Sequence, residues 1–183
     1  MKFEETFLKG SYLIKLDPIY DSRGFFSRVF CKNEFENINL NSNWLNINNS
    51  ISTNKGTLRG LHFQTEPKEE IKLVRCINGS IWDVMVDLRI ESPTFSQYYA
   101  SILSAANRNM LYIPRGFAHG FITLEDNAEI IYFNSQFYSP NHERTLLWNE
   151  KEVNINWPIQ PTYISEKDNK GLSLKNIKKI LSS

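Results

Sequence analysis

Arg59 and His62 stand three residues apart in Lys55-Gly56-Thr57-Leu58-Arg59-Gly60-Leu61-His62-Phe63-Gln64, a stretch that reads as a short strand punctuated by two glycines. A guanidinium clamps phosphate or carboxylate with two parallel hydrogen bonds. An imidazole is the side chain that most readily carries a proton near neutral pH. Gly56 and Gly60 let a backbone or a ligand approach where a Cβ would stand in the way. Together these residues suggest proton transfer beside an anion. A core histidine next to a surface arginine in a turn-rich sheet is the plainer alternative.

Other chemistries find less support. The three histidines are His62, His119 and His142, and no His-x-His places two imidazoles on one strand face, so no metal is expected. Neither Cys31 nor Cys76 has a histidine or a helix start beside it, and no Gly-x-Ser-x-Gly elbow occurs, which argues against nucleophilic catalysis. A glycine-rich phosphate loop is also missing, so no redox cofactor is expected. Acid–base chemistry at an anion site remains. Arg23, Arg59, Lys72, Arg115 and Lys167 recur in turn contexts and could converge on a diphosphate, although each also fits a solvated surface. Tyr132, in the otherwise apolar Ile130-Ile131-Tyr132-Phe133, is either a structural hydrogen-bonding residue or a proton carrier. Asp168 is either a surface charge or the carboxylate that orients an imidazole.

The elements that must position these groups are short apolar runs between glycines and prolines, the pattern of many strands. Strands are expected at Ser11 to Leu16, from Gly24 through Phe30, at Trp44 to Ile47, Tyr98 to Leu103, Met110 to Ile113, Ala118 to Thr123 and Glu129 to Phe137. Ile71 to Ile77 and Ile81 to Ile90 read as a hairpin across Asn78-Gly79, a favoured turn pair. In its second arm Trp82, Val84, Val86 and Leu88 share one face. Asp83, Asp87 and Arg89 share the other, which should see water, a cavity or a partner. Lys32 to Leu40 is a helix candidate, and Leu174, Ile177 and Leu181 mark an amphipathic helix in the tail. The sum is an all-β sandwich or barrel of about ten strands with small helical pieces.

At 183 residues, residues 1–183 are expected to form one domain, and the 41% hydrophobic and 13% aromatic content fits a sheet-rich globule. A net charge of +1 gives no general attraction to nucleic acid or to an anionic membrane. No apolar run reaches the roughly 18 residues of a membrane span, and the acidic first residues do not read as a signal peptide. Two distant cysteines read as free thiols in a reducing, cytoplasmic compartment.

The sequence blocks also resemble the dTDP-4-dehydrorhamnose 3,5-epimerase family, from Asp21 to about Asp168. The matching stretches are DSRGFF at Asp21, KGTLRGLHFQ at Lys55, KLVRCINGSIWDVMVDLR at Lys72, SPTF at Ser92, YIPRGFAHGF at Tyr112, YSPNHE at Tyr138, NINWP at Asn154 and SEKD at Ser165. Each block is modest alone; their order and spacing make the resemblance specific. It implies a jelly-roll (cupin-like) barrel with a few short helices, a homodimer, no metal and no other cofactor. The implied substrate is a nucleotide-diphosphate sugar, a 4-keto-6-deoxyhexose used to make deoxysugars for surface polysaccharide.

By the same resemblance His62 is the base and Asp168 orients it, with Asp83 as second choice for that partner. Lys72 stabilises the enolate oxygen, and Tyr132 returns a proton from the opposite face. Arg23, Arg59, His119, Glu143 and Lys167 bind the nucleotide-sugar, with looser matches at Asn46 and Asn48, and Phe26 lies near the base or sugar. One position departs. Arg28 stands where many members carry an acidic residue, which keeps open a CDP- or other nucleotide-linked substrate. An epimerase restricted to C3, or a sugar-binding barrel without catalysis, are the further alternatives.

Overall fold

The computed structural model describes residues 1–182. Among them the strands in the first half are β1 (Lys2–Glu5), β2 (Tyr12–Lys15), β3 (Ile19–Asp21), β4 (Gly24–Phe26), β5 (Asn46–Ser52), β6 (Thr57–Gln64), β7 (Lys72–Asn78) and β8 (Ser80–Asp87). There follow β9 (Tyr98–Ser104), β10 (Met110–Ile113), β11 (Phe117–Thr123), β12 (Ala128–Asn134), β13 (Glu143–Thr145) and β14 (Tyr163–Ile164). The helices are α1 (Lys32–Glu36), α2 (Glu166–Asn169) and α3 (Leu174–Leu181). No helix among the described residues is long and apolar enough to cross a membrane.

Two antiparallel sheets pack face to face as a jelly roll. One runs β1-β2-β10-β7-β12-β5 and the other β13-β6-β11-β8-β9, with β14 alongside β6 and β3–β4 as a separate hairpin. Val74, Cys76, Ile81, Met85, Leu111 and Ile130 fill the space between the sheets. The outer face of the second sheet is also covered, because Leu61, Val84, Val86 and Ala118 pack against Val153, Leu174 and Ile177 of the C-terminal segment. On the outer face of the first sheet, Leu73, Met110 and Phe133 pack with Phe35 of α1. Central strands therefore carry apolar residues on both faces, with the buried polar side chains Lys72, Asp83, His119 and Asn134 among them.

Helix α3 forms as its sequence dictates. Ser173 caps it by accepting a hydrogen bond from the Asn176 N–H, Leu174 and Ile177 are buried, and the lysines face solvent. Loss of such a cap costs about 1 kcal/mol.

Several expectations are corrected. Asn78-Gly79 does turn the chain, with Gly79 at φ +67°, but the arms do not form a hairpin. β7 pairs with β10 and β12, whereas β8 pairs with β9 and β11, so the turn passes the chain from one sheet to the other. Both arms are apolar enough to be central strands, and distant segments supply their partners. Of the readings open for the Asp83 face of β8, water is excluded: Ile81, Asp83 and Met85 are 0% exposed and face the interior, where Asp83 meets His119 of the cavity wall. Polar Asn46–Ser52 is a seven-residue strand rather than a brief one ending at Ile47. Its asparagines pair with β12 instead of forming loop. The strand expected through Phe30 stops at Phe26, and the helix expected to Leu40 stops at Glu36.

The glycines of the Lys55 block have a specific use. A Cβ on Gly60 (φ +125°) would stand 2.6 Å from the Gly120 Cα, and one on Gly120 would stand 2.6 Å from the Arg59 carbonyl oxygen. The two glycines thus let β6 and β11 close together where the ladder register shifts between His119 and Phe121. A Cβ on Gly56 would meet the Thr162 Oγ1 at 2.5 Å. These close approaches are made by the chain itself.

Candidate active site

A cavity of about 850 Å³ lies between the sheets and draws its walls from both. On β6, Leu61 and Phe63 enter the outer cluster, so the strand alternation turns His62 and Gln64 inward. On β12, Ile131 and Phe133 face outward and Tyr132 and Asn134 inward; on β7, Leu73 faces outward and Lys72 inward. His62 and Tyr132 therefore reach the cavity from opposite sheets.

His62 Nε2 lies 2.6 Å from Asp168 Oδ1. The other carboxylate oxygen accepts the Gly60 backbone N–H at 3.1 Å. Asp168 is held there by α2, whose N-cap Ser165 accepts the Asp168 N–H. Burial alone would raise the Asp168 carboxyl, but the His62 hydrogen bond and charge, the Gly60 amide and Ser165 outweigh it and hold the group below its ordinary value. With the carboxylate ionised, Nε2 carries the hydrogen and Nδ1 keeps its lone pair, the tautomer that a base needs.

Across the cavity, burial pushes the Tyr132 phenol up, and the Glu70 charge adds to this while Arg59 opposes it. The phenol thus keeps its proton. Lys72 Nζ lies 3.0 Å from Glu70 Oε1 and donates to the His62 carbonyl at 3.4 Å. His119 Nε2 lies 2.9 Å from Asp83 Oδ2. Asp83 belongs to His119, so of the two carboxylates considered for His62 only Asp168 contacts it. Burial raises the Asp83 carboxyl against the lowering influence of His119 and Lys72.

The remaining expected residues divide. At the cavity wall, Glu143 accepts from Lys167 Nζ at 2.5 Å and from the Tyr138 hydroxyl at 2.8 Å. Arg59 lines the cavity and donates to the Ser52 hydroxyl at 3.0 Å and to the Ile51 carbonyl at 3.1 Å. Asn46 and Asn48 face inward from β5 and donate to the Gln136 carbonyl and the Asn134 side-chain oxygen. Arg23 and Phe26 do not join them. They sit on the exposed β3–β4 hairpin, where Arg23 pairs with Asp21 at 2.6 Å. Arg28 is also outside the cavity and lies 3.6 Å from Glu34.

Glu70, Asn134 and Tyr138 are among the lining residues that escaped sequence reasoning. Glu70 sits in a Glu69-Glu70 pair that reads as solvated charge, yet its side chain is only 11% exposed. Asn134 carries no chemistry of its own, and Tyr138 lies in the YSPNHE block without a distinguishing neighbour. Only the adjacency of Lys72 to Glu70 in sequence could have signalled a pair. Among the described residues, no three His, Cys, Asp or Glu side chains converge as a metal would require. Cys31 and Cys76 are both free.

Residues 5–176 match the family model for dTDP-4-dehydrorhamnose 3,5-epimerase. The dTDP-4-dehydrorhamnose 3,5-epimerase of Shigella flexneri is 47% identical over 152 residues, 82% of this chain and 83% of the relative. The crystal structure of the Elizabethkingia anophelis epimerase superposes with a TM-score of 0.93 at 38% identity, covering 96% of this chain and 97% of that one. The Legionella pneumophila epimerase, solved in complex with dTDP-4-keto-L-rhamnose, superposes with a TM-score of 0.92 at 34% identity over 98% of this chain and 96% of its own. Fold and sequence agree over nearly the whole length, and the chain belongs to the dTDP-4-dehydrorhamnose 3,5-epimerase family.

Proposed function

We propose that the protein epimerises C3 and C5 of a dTDP-linked 4-keto-6-deoxyhexose. The observation that carries this reading is the placement of His62–Asp168 and Tyr132 on opposite sheets of one cavity. A C–H beside a ketone is weakly acidic, so a base must remove the proton while a cation or hydrogen-bond donor stabilises the enolate oxygen. His62 Nδ1 takes the proton, with Asp168 fixing the ring and stabilising the imidazolium. Lys72 stands at the enolate oxygen. Tyr132, kept protonated by burial and by Glu70, returns a proton from the other face. Delivery from the face opposite to abstraction is what inverts the carbon; a single group would exchange the hydrogen and restore the same configuration.

Arg59, Lys167, Glu143, His119, Asn46 and Asn48 bind the nucleotide and sugar in this reading. Arg23, exposed on its hairpin and outside this cavity, serves the diphosphate in the cavity of a second copy in this reading, as a homodimer would allow. The surface supports this. Ile47 and Ile51 on edge strand β5 are 64% and 55% exposed, and Ile19, Tyr20 and Phe26 on the hairpin are 71%, 65% and 68% exposed. Apolar side chains exposed along an edge strand, and others on a separate exposed hairpin, suit burial against a partner.

The test is proton NMR of dTDP-4-keto-6-deoxyglucose incubated with the protein in deuterated water. Deuterium enters at both C3 and C5 if the proposal holds. Exchange at C3 alone makes the protein a single-site epimerase. No exchange at either carbon, with exchange on a CDP or GDP analogue, transfers the reaction to another nucleotide sugar.

A further inference from the structure

Glu70, in the loop before β7, is a charged side chain held inside the cavity wall, with its two oxygens divided between two partners. Oε1 lies 3.0 Å from the Lys72 ammonium, and Oε2 accepts from the Asn134 amide at 2.5 Å. The Asn134 side-chain oxygen in turn accepts from Asn48 at 3.4 Å. The Glu70 and Lys72 side chains are 11% and 10% exposed, so the pair is largely removed from water and its geometry is fixed by direct contacts.

We infer that Glu70 is a positioning residue of the epimerase, which ties the Lys72 ammonium to the Asn134–Asn48 edge of the cavity and keeps a negative charge beside Tyr132. A lysine on a flexible four-carbon stem is a point charge without intrinsic direction. Bridged through Glu70 to β12 and β5, its head group is fixed before substrate arrives, which lowers the reorganisation needed when charge develops on the substrate oxygen. The same carboxylate is the second cause, after burial, that keeps the Tyr132 phenol protonated. The other charged and titratable groups of the cavity wall are Arg59 and His62 from β6, the latter bonded to Asp168 of α2, Lys72 from β7, His119 from β11 backed by Asp83 from β8, and Tyr138, Glu143, Tyr163 and Lys167. Of these, Arg59 acts on Tyr132 in the opposite sense to Glu70.

This inference rests on the proposed roles of Lys72 and Tyr132, and its test separates the two levels. kcat and KM are measured against pH for Glu70→Gln, Glu70→Asp and Lys72→Met, with folding checked by thermal melting and by dTDP binding. Glu70→Gln keeps the shape and removes the charge. It should lower kcat roughly tenfold with KM little changed, and move the alkaline limb of kcat to lower pH, because Tyr132 loses its proton more easily. Glu70→Asp keeps the charge and returns the limb to the parent position, although its shorter reach still lowers kcat. A purely structural role would lower kcat without moving the limb. An unmoved limb in Glu70→Gln, whatever its kcat, overturns the inference, as does a limb that moves equally in Glu70→Asp. If Lys72→Met leaves kcat intact, the enolate role of Lys72 is what fails; if it abolishes turnover while Glu70→Gln matches the parent, the Glu70 inference alone fails.

Discussion

His62 on β6 and His119 on β11 are cross-strand neighbours, and each holds an aspartate, yet the two pairs are built differently. The His62 side chain is 30% exposed, whereas that of His119 is 10% exposed above an Asp83 at 0%. Asp168 accepts from His62 and the Gly60 amide, gives its own N–H to Ser165, and is held below its ordinary value despite burial. Asp83 has His119 as its hydrogen-bond partner and is raised by burial. A carboxylate that stays ionised is a fixed anchor for an imidazole that must gain and lose a proton. One whose charge burial opposes depends on its histidine for compensation and ties that ring in place. Identical residue types thus acquire separate tasks through burial and hydrogen-bond number.

The largest expected effect comes from removing the histidine of the open pair. His62→Ala should lower kcat about 1000-fold, while dTDP binding by calorimetry stays near the parent value. Equal loss of turnover and binding would make His62 structural and erase the distinction between the pairs. Next come the two carboxylates. Asp168→Asn should cost about 100-fold in kcat and Asp83→Asn about tenfold, the scale of losing a group that orients a ligand. The reverse order would give the buried pair the base. His119→Gln should act on binding rather than chemistry, raising KM about tenfold through a lost charge-assisted contact while kcat remains close to the parent's.

The smallest effect lies in stability against pH, read by urea unfolding. Asp168 has a folded value below its unfolded one, so its contribution is complete above about pH 4 and fades as pH falls through the folded value. The deficit of Asp168→Asn relative to the parent should therefore be constant from pH 7 to 5 and shrink in stronger acid. Asp83 has the opposite sign. Its raised carboxyl takes up a proton earlier on acidification, so the parent should gain on Asp83→Asn as pH falls toward about 4. Parallel curves for the two variants would mean that the carboxylates sit in equivalent environments.

Much of this was legible from the chain itself. Short apolar runs between glycines and prolines specify strands, and the Leu174, Ile177 and Leu181 spacing specifies α3, because local periodicity decides which face can be buried. The types and order of Arg59, His62, Lys72, Tyr132 and Asp168, in blocks resembling one family, were enough to nominate a base, a cation and a proton donor. Pairing was not legible. Nothing within Lys72–Asp87 says that β7 and β8 enter different sheets, because two largely apolar arms fit a hairpin and a crossover equally well, and only β9, β10, β11 and β12 decide. Asn46–Ser52 became a strand for the same reason: its polar alternation makes sense only against a cavity. The resemblance ranked Asp168 above Asp83 for His62, but the pairing of Asp83 with His119, and the recruitment of Glu70 from an apparently solvated pair, depend on distance in space. Sequence set which side chains could do chemistry; tertiary packing alone set which of them lost water, which met a counter-charge, and so which proton each one holds.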